Sequence, residues 1–356
     1  MDLRTAMAKA YVVIIVILFF PLVFLAGHGA DRKNDDDSVH YLKLLDKFGG
    51  LDVPLEESFD NPVDIAIGEE ENIYVLDSND NDIKVFDGGG TFLKRICREG
   101  SGPGELKRPW MLQLIGNRIY VVDANNRRIQ ILNGDGLYEN GYKVPVKFGQ
   151  GMAFDAQGIL YLSTQGIRSP HLISVYDHQG NLVKEFGELE GKSFDFYDFT
   201  LIKDQIKRGK IPDSLKNDLV LIIDPKGIVF AVHTGLNKWK KYTPEGDLLF
   251  ESEIESEEYH NIYSDFMDQN KELENSPNIF YPLRYVNDLA LDQAGNLYVL
   301  LNESSQMVVL VFAGDGTFKE KLVGVEDSIY RIAISHKNEL YALSQDTHFI
   351  YKFELD

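Results

Sequence analysis

Residues 72–76 have the sequence Asn-Ile-Tyr-Val-Leu, a turn residue followed by a strand that pairs an aliphatic with an aromatic side chain. The same phrase recurs after further apolar strands at residues 117–122 (NRIYVV), 158–162 (GILYL), 227–232 (GIVFAV), 295–300 (GNLYVL) and 338–343 (NELYAL). Most copies continue through a polar loop into a third strand, a Gly-containing turn and a fourth strand. Units without an insertion span about 41 to 46 residues. Six units of four antiparallel strands predict an all-β fold, a six-bladed β-propeller.

The front of the chain is expected to close the ring. Residues 41–48 resemble the fourth strand 182–186, including its Phe-Gly ending, whereas the sixth unit ends at residues 349–355, one strand short. An early strand that completes the last blade would protect sheet edges that otherwise promote aggregation. We therefore predict a propeller over residues 41–356, preceded by a polar linker at residues 31–40.

The first residues carry a targeting signal. Arg4 and Lys9 precede an apolar run over residues 10–26, and small residues follow it. A basic flank before an apolar run is typical of an export signal. The run is near the lower length limit for a membrane-spanning helix, and Pro21 interrupts it. We predict a signal peptide or membrane anchor at residues 1–30 and a periplasmic, secreted or membrane-anchored body outside the cytoplasm.

Composition excludes several classes of function. The chain has 56 acidic and 36 basic residues, a formal net charge of −20 that repels nucleic acid and anionic lipid surfaces. The single cysteine, Cys97, excludes an intramolecular disulfide framework and a CxxC metal site. No Walker, HExxH or GxSxG motif is present. We expect no catalytic residue, no obligatory cofactor and no nucleic-acid partner.

Two insertions interrupt the repeat, at residues 188–218 and 251–284. Helical periodicity is present at residues 199–207 and 259–273. Connections between blades share one rim with the loops between second and third strands, so both insertions should stand over the same mouth of the central channel. The second insertion is acidic and aromatic, and its candidate partner contacts are Tyr259, Tyr263 and Phe266. The alternative is a packing elaboration without a binding role.

A second set of candidates belongs to the channel mouth. Aligning the copies gives equivalent points near the start of each innermost strand, at Asp64, Met111, Gly151, Val220, Asp288 and Arg331. We expect Asp64, Asp288 and Arg331 at the mouth, with Arg127 and His233 beside them. Asp64 and Asp288 could bind calcium, which takes six to eight oxygen ligands. The arginine among them favours a charge-balanced network instead.

Two segments resemble the NHL-repeat family of propellers. Residues 100–106 (GSGPGEL), followed by Pro109, are similar to its inter-blade loop, and residues 120–131 (YVVDANNRRIQI) to its phrase from second to third strand. The resemblance covers residues 41–356 and is most specific in the first two units. It implies a scaffold that binds protein, RNA or glycan partners, and related six-bladed folds include lactonases and an amidating lyase. That lyase has a His-Gln pair where this chain has Asn126-Arg127, which argues against lyase chemistry.

These observations predict an exported, non-catalytic propeller that binds a protein, peptide or glycan partner on its insertion-bearing rim. One alternative is a calcium-dependent hydrolase or lactonase that uses Asp64 and Asp288. Another is the sensory ectodomain of a membrane-anchored protein, which requires that residues 10–26 be retained.

Overall fold

The computed structural model describes residues 38–144, 151–167, 169–194 and 197–355. In these ranges the chain forms six mainly antiparallel sheets, in which consecutive strands pair as hairpins. First strands of neighbouring sheets contact one another, including those of the sixth and the first sheet. Between the second and third sheets, the Gln113 side chain bonds to the backbone of Phe154. The sheets are therefore the blades of a closed six-bladed propeller around a central channel. The predicted fold is confirmed.

The first three blades follow two short N-terminal strands, β1 (Val39–Tyr41) and β2 (Lys43–Gly49). Blade 1 contains β3 (Pro62–Ile67), β4 (Ile73–Asp77), β5 (Asp82–Phe86) and β6 (Phe92–Ile96). Blade 2 contains β7 (Met111–Ile115), β8 (Arg118–Asp123), β9 (Arg128–Asn133) and β10 (Tyr138–Lys143), with a 3-10 turn at Ala124–Asn126. Blade 3 contains β11 (Met152–Phe154), β12 (Leu160–Ser163), β13 (His171–Tyr176) and β14 (Leu182–Glu188).

The last three blades carry the helices between them. Blade 4 contains β15 (Leu219–Ile223), β16 (Val229–His233), β17 (Lys238–Tyr242) and β18 (Leu248–Glu253). Blade 5 contains β19 (Val286–Leu291), β20 (Leu297–Leu301), β21 (Val308–Phe312) and β22 (Phe318–Val323). Blade 6 contains β23 (Ile329–Ile334), β24 (Glu339–Ser344) and β25 (Phe349–Glu354). The helices are α1 (Phe199–Lys207) and α2 (Asp213–Lys216) before blade 4, and α3 (Glu257–Glu272) before blade 5.

The aliphatic–aromatic pairs of the repeat pack between blades, as their uniform position indicates. Tyr120 of blade 2 meets Phe154 of blade 3 with ring centroids 5.0 Å apart, and both rings belong to one buried cluster. Tyr341 of blade 6 is buried in the cluster that holds Ile73 and Val75 of blade 1. Full burial of such a side chain stabilises the fold by about 1.5–3 kcal/mol, so a series of these contacts accounts for much of the core.

The N-terminal segment locks two blades. Strand β2 pairs antiparallel with β25 of blade 6, with Phe48 opposite Ile350, which confirms the predicted closure. The ring of Phe48 also meets that of Phe86 in blade 1, at 5.4 Å between centroids. Strand β1 pairs parallel with β22 of blade 5, with Tyr41 opposite Val323. The predicted linker is wrong at Val39 and His40, which lie in β1, and the predicted signal segment 1–30 lies outside the described residues.

The two insertions pack on each other. Helix α1 has the predicted bounds, and α3 begins at Glu257, two residues before its prediction, because Ser256 caps it by accepting from the N–H of Tyr259. Ile202 and Ile206 of α1 share a buried cluster with Phe266 of α3. We call residues 188–218 and 251–284 together the insertion pair. In the part of the chain that the structure describes, no helix has the length and apolar character required to cross a membrane.

Candidate binding site at the channel mouth

The channel mouth is a ring of equivalent positions, one from each blade. In five blades the strand register proves the equivalence, because the ring residue lies opposite the penultimate residue of the second strand. The pairs are Asp64 with Leu76, Met111 with Val122, Val220 with Val232, Asp288 with Leu300, and Arg331 with Leu343. In blade 3 the carbonyl of Gly151 accepts from the N–H of Ser163 at 2.8 Å. The alignment of the repeats therefore placed these six residues correctly.

The charged half of the ring lies in blades 5, 6 and 1, and its carboxylates join neighbouring blades. Oδ2 of Asp64 accepts from the N–H of Leu112 in blade 2 at 2.8 Å. Oδ2 of Asp288 accepts from the N–H of Ile332 in blade 6 at 2.9 Å. Nε of Arg331 lies 3.5 Å from Oδ1 of Asp64. Arg331 therefore forms an ion pair with Asp64, and Asp288 joins blade 6 through a backbone hydrogen bond.

The carboxylates have unusual acidities because they are buried. Burial raises the pKa of Asp64 from 3.8 to about 7; the charge of Arg331 opposes the shift and that of Asp288 adds to it. Burial also raises the pKa of Asp288, again against the effect of Arg331. At neutral pH a substantial fraction of Asp64 is therefore protonated.

The carboxylate of Asp64 has partners within the protein. Oδ1 of Asp64 accepts from the N–H of Ile65 at 3.0 Å, so both of its oxygens have backbone donors. The guanidinium of Arg331, whose Nε lies 3.5 Å from Oδ1, opposes a second cation at this carboxylate. Among the described residues no group of three or more His, Cys, Asp or Glu side chains is arranged to hold a metal ion.

The other half of the ring is apolar and belongs to blades 2, 3 and 4. Met111 and Val220 line a channel cavity of about 460 Å³, together with Trp110. The ring of Trp110 lies 5.8 Å from the guanidinium carbon of Arg331, so it borders both halves. Gly151 is required here because a Cβ at this position would come within 1.8 Å of the carbonyl oxygen of Leu219. The mouth is thus charged on one side and apolar on the other.

Two further charged residues at the mouth come from the insertion pair. Asp218 and Arg284 both line the channel cavity, and they are the last residues of the first and the second insertion. Asp218 is held by Gln165, whose Nε2 donates to Oδ1 at 3.0 Å, and by the hydroxyl of Thr234, which donates to Oδ2 at 3.2 Å. Repeat alignment missed both residues because they lie outside the repeats. A charged residue one or two positions before an inner strand was the available signal.

Two residues expected at the mouth lie elsewhere. His233 is fully buried, and its Nδ1 donates to the carbonyl oxygen of Lys216 at 2.6 Å, which ties the first insertion to blade 4. Burial lowers the pKa of His233 to about 4, so the ring is neutral. Arg127 is exposed, has a φ of 53° and ends a short 3-10 turn. Neither lines the channel cavity, so their placement there was wrong. His233 is the last residue of β16 and Arg127 follows the 3-10 turn after β8, so neither belongs to an inner strand.

The aromatic residues of α3 attach the helix to the propeller. Tyr259 and Phe266 are buried, and the ring of Tyr259 stacks on Tyr285 at 4.4 Å, so these two are not the exposed contacts we expected. Tyr263 is partly buried, and its hydroxyl donates to the carbonyl oxygen of Gly209 in the first insertion at 3.1 Å. A cleft of about 670 Å³ remains beside it, lined by Lys210, Ile211, Lys216 and His260 among others.

Comparisons with known proteins support the fold. A family model described as a 6-bladed β-propeller matches residues 54–207, from the approach to blade 1 through α1. A search of curated proteins finds no match. A solved Bacteroides fragilis protein, provisionally described as exported, is 13% identical over 88% of this chain and 94% of its own, with a TM-score of 0.56. A streptogramin B lyase is 15% identical over 87% of this chain and 97% of its own, with a TM-score of 0.51. At these identities the likeness shows the propeller fold alone.

Proposed function

We propose that this propeller is a non-catalytic binding protein outside the cytoplasm, an NHL-like scaffold that takes a protein, peptide or glycan partner on its insertion-bearing rim. The observation that carries the proposal is that both insertions end at the channel mouth, in Asp218 and Arg284. The lining of the channel cavity is thus built partly from insertion residues that the propeller does not need for closure. Additions of this kind to a rigid scaffold commonly carry binding functions.

The chemistry of the mouth supports binding rather than catalysis. The carboxylates of Asp64 and Asp288 accept hydrogen bonds from neighbouring blades, which gives them a structural task. Burial raises the pKa of the Cys97 thiol to about 12, so this side chain is a poor nucleophile. The hydrolase alternative requires calcium at Asp64 and Asp288, and the guanidinium of Arg331 beside Asp64, together with the backbone donors to both carboxylates, argues against it.

The apolar run at residues 10–26 and the basic residues before it support export. One structural neighbour is itself provisionally described as exported. The sensory-ectodomain alternative uses the same binding site and differs only in whether residues 10–26 are retained. N-terminal sequencing of the protein from its native envelope distinguishes the two: a terminus near residue 30 supports cleavage, and an intact terminus supports anchoring.

Peptide and glycan arrays test the binding proposal. We expect the purified protein to bind a defined subset of ligands, and Trp110→Ala, at the border of the two halves of the mouth, to abolish that binding. Lys337→Ala is the matched control, because Lys337 is exposed in the turn between the first and second strands of blade 6, on the opposite rim. Melting temperatures of both variants establish that they are folded. The proposal would be contradicted if Lys337→Ala reduced binding and Trp110→Ala left it unchanged.

A further inference from the structure

Arg284 has unfilled hydrogen-bonding capacity inside the channel cavity. In the described ranges its guanidinium makes one hydrogen bond, from Nη2 to the carbonyl oxygen of Asn287 at 3.5 Å, and no carboxylate lies within 4.0 Å of it. A guanidinium has five N–H donors and stays charged in proteins. Burial lowers the pKa of Arg284, an effect that Asp218 partly offsets. A partly buried charge without a close partner is costly, and a ligand that supplied an anion would remove that cost.

Arg331, in the same cavity, has its partners already. Its Nη1 donates to the carbonyl oxygens of Tyr330 at 3.0 Å and Asn287 at 3.4 Å, and its Nε faces Asp64. Its guanidinium carbon also lies 5.3 Å from the centre of the Tyr330 ring. Arg331 therefore holds the mouth together, whereas Arg284 is available to a ligand.

The surroundings select the kind of anion. Asp218 and Asp288 line the same cavity as Arg284, so a doubly charged group such as phosphate would meet more repulsion from these carboxylates than a singly charged group. The planar guanidinium fork matches the two oxygens of a carboxylate. Across the mouth, Trp110 and Met111 offer apolar surface. A cavity of about 460 Å³ is within the range of small-molecule sites.

We propose that the channel mouth binds a small carboxylate, with its charged group on Arg284 and its less polar body against Trp110, Met111 and Val220. This proposal rests on the proposed binding function and assigns a chemical class to its ligand. The insertion pair then has a defined part in the site, because the second insertion supplies the residue that recognises the charge.

Calorimetric titration tests the proposal with three carboxylates of different body, namely hexanoate, D-glucuronate and N-acetylalanine, each beside its uncharged amide. We expect at least one acid to bind and its amide to bind at least about tenfold more weakly, because charge-assisted hydrogen bonds are roughly twice as strong as neutral ones. Arg284→Gln should weaken binding of that acid about tenfold or more, and Arg284→Lys by less, because the single charge is kept. Lys337→Ala should bind as the wild type does.

The thermal stability of unliganded Arg284→Gln separates a binding role from a structural one. A melting temperature equal to or above that of the wild type is expected, because the substitution removes a partly buried charge without a close partner. Failure of all three acids to bind, equal binding of acid and amide, or unchanged binding by Arg284→Gln would overturn the carboxylate proposal. Array binding that Trp110→Ala abolishes and Arg284→Gln spares would overturn this proposal and leave the rim function standing. If an acid binds at Arg284 but Trp110→Ala leaves binding to the arrays unchanged, the rim function is overturned and the carboxylate proposal stands.

Discussion

Asp64→Asn is expected to flatten the pH dependence of the free energy of unfolding. In the folded protein burial raises the pKa of Asp64 from 3.8 to about 7, whereas the unfolded chain restores the lower value. Between these values the folded state holds a proton that the unfolded state has lost. The stability contributed by the neutral carboxyl group is therefore fully present below pH 3.8 and is lost as the pH rises through about 7.

The magnitude follows from the size of the shift. Each pKa unit corresponds to about 1.4 kcal/mol, so the shift of Asp64 implies a loss of about 4 kcal/mol across the whole range, of which about 3 kcal/mol falls between pH 5 and pH 8. Asparagine does not titrate, so this loss should be absent from the variant. Its amide oxygen replaces one acceptor, and the second backbone hydrogen bond is lost at a cost of about 1 kcal/mol that does not depend on pH.

Urea denaturation at pH 5 and pH 8, followed by tryptophan fluorescence, measures the difference. The wild type should lose about 3 kcal/mol more than Asp64→Asn over this interval. Asp60→Asn removes an exposed carboxylate next to the same blade and controls for the change in net charge. Parallel pH profiles for wild type and Asp64→Asn would refute the reasoning, because they would mean that Asp64 does not titrate differently in the folded protein.

Three further outcomes are expected from the fold. Removal of residues 38–49 should lower the melting temperature sharply, because β1 and β2 pair with blades 5 and 6. Removal of residues 1–36 should leave the melting temperature unchanged. Equal melting temperatures of the two deletion variants in calorimetry would contradict the closure. Lys84→Met should lower the free energy of unfolding in urea by about 3–5 kcal/mol, because Lys84 is fully buried within 3.4 Å of Asp77, Asp80 and Asp82. Its loss removes the cation paired with the buried Asp77 and leaves Asp80 and Asp82 with Arg95, whose Nε lies 2.8 Å from Oδ2 of Asp82; a loss below about 1 kcal/mol would show that these carboxylates do not depend on Lys84. Tyr259→Phe should change stability by less than about 1 kcal/mol, because the buried Tyr259 hydroxyl has no hydrogen-bond partner in the described structure, whereas Tyr259→Ala should cost about 3–5 kcal/mol in the same assay.

The repeat made the blades predictable because each blade is built from local hairpins. Sequential strands pair through short turns. Residues 72–76 and their later copies therefore identify the second strand of each blade, and the first and third strands are then found on either side of it in the sequence. Closure was predictable for the same reason: residues 43–49 have the pattern of a fourth strand, and one blade lacked one. Strand β1 was not predictable, since three mostly exposed residues pair in parallel with β22, about 280 positions away in the chain.

The site was only partly predictable because its residues have two origins. Asp64, Asp288 and Arg331 occupy equivalent positions of the repeat. Because the first two strands of these blades pair in the same register, the equivalent positions lie in one ring. Arg284 and Asp218 have no counterpart in other copies, so alignment gave them no place. For Tyr259 and Phe266 the helical periodicity of residues 259–273 correctly indicated a helix, but the acidic composition of the insertion suggested that these rings are exposed. Helical periodicity shows that a face is shared and does not show which face is buried.

The mouth can be asymmetric because backbone pairing holds each first strand, so the fold does not require the same side chain at every position of the ring. Backbone pairing with the second strand holds each first strand, so six equivalent positions can hold two carboxylates, a guanidinium, a methionine, a valine and a glycine. Where two blades meet through Asp64 or Asp288, the carboxylate replaces a missing inter-blade contact, and Gln113 does the same with both backbone groups of Phe154 in the apolar half. Under the carboxylate proposal, Arg284 adds recognition of charge to the apolar surface that the blades supply. Because Arg284 belongs to an insertion, this part of the specificity could change without any change in the blades.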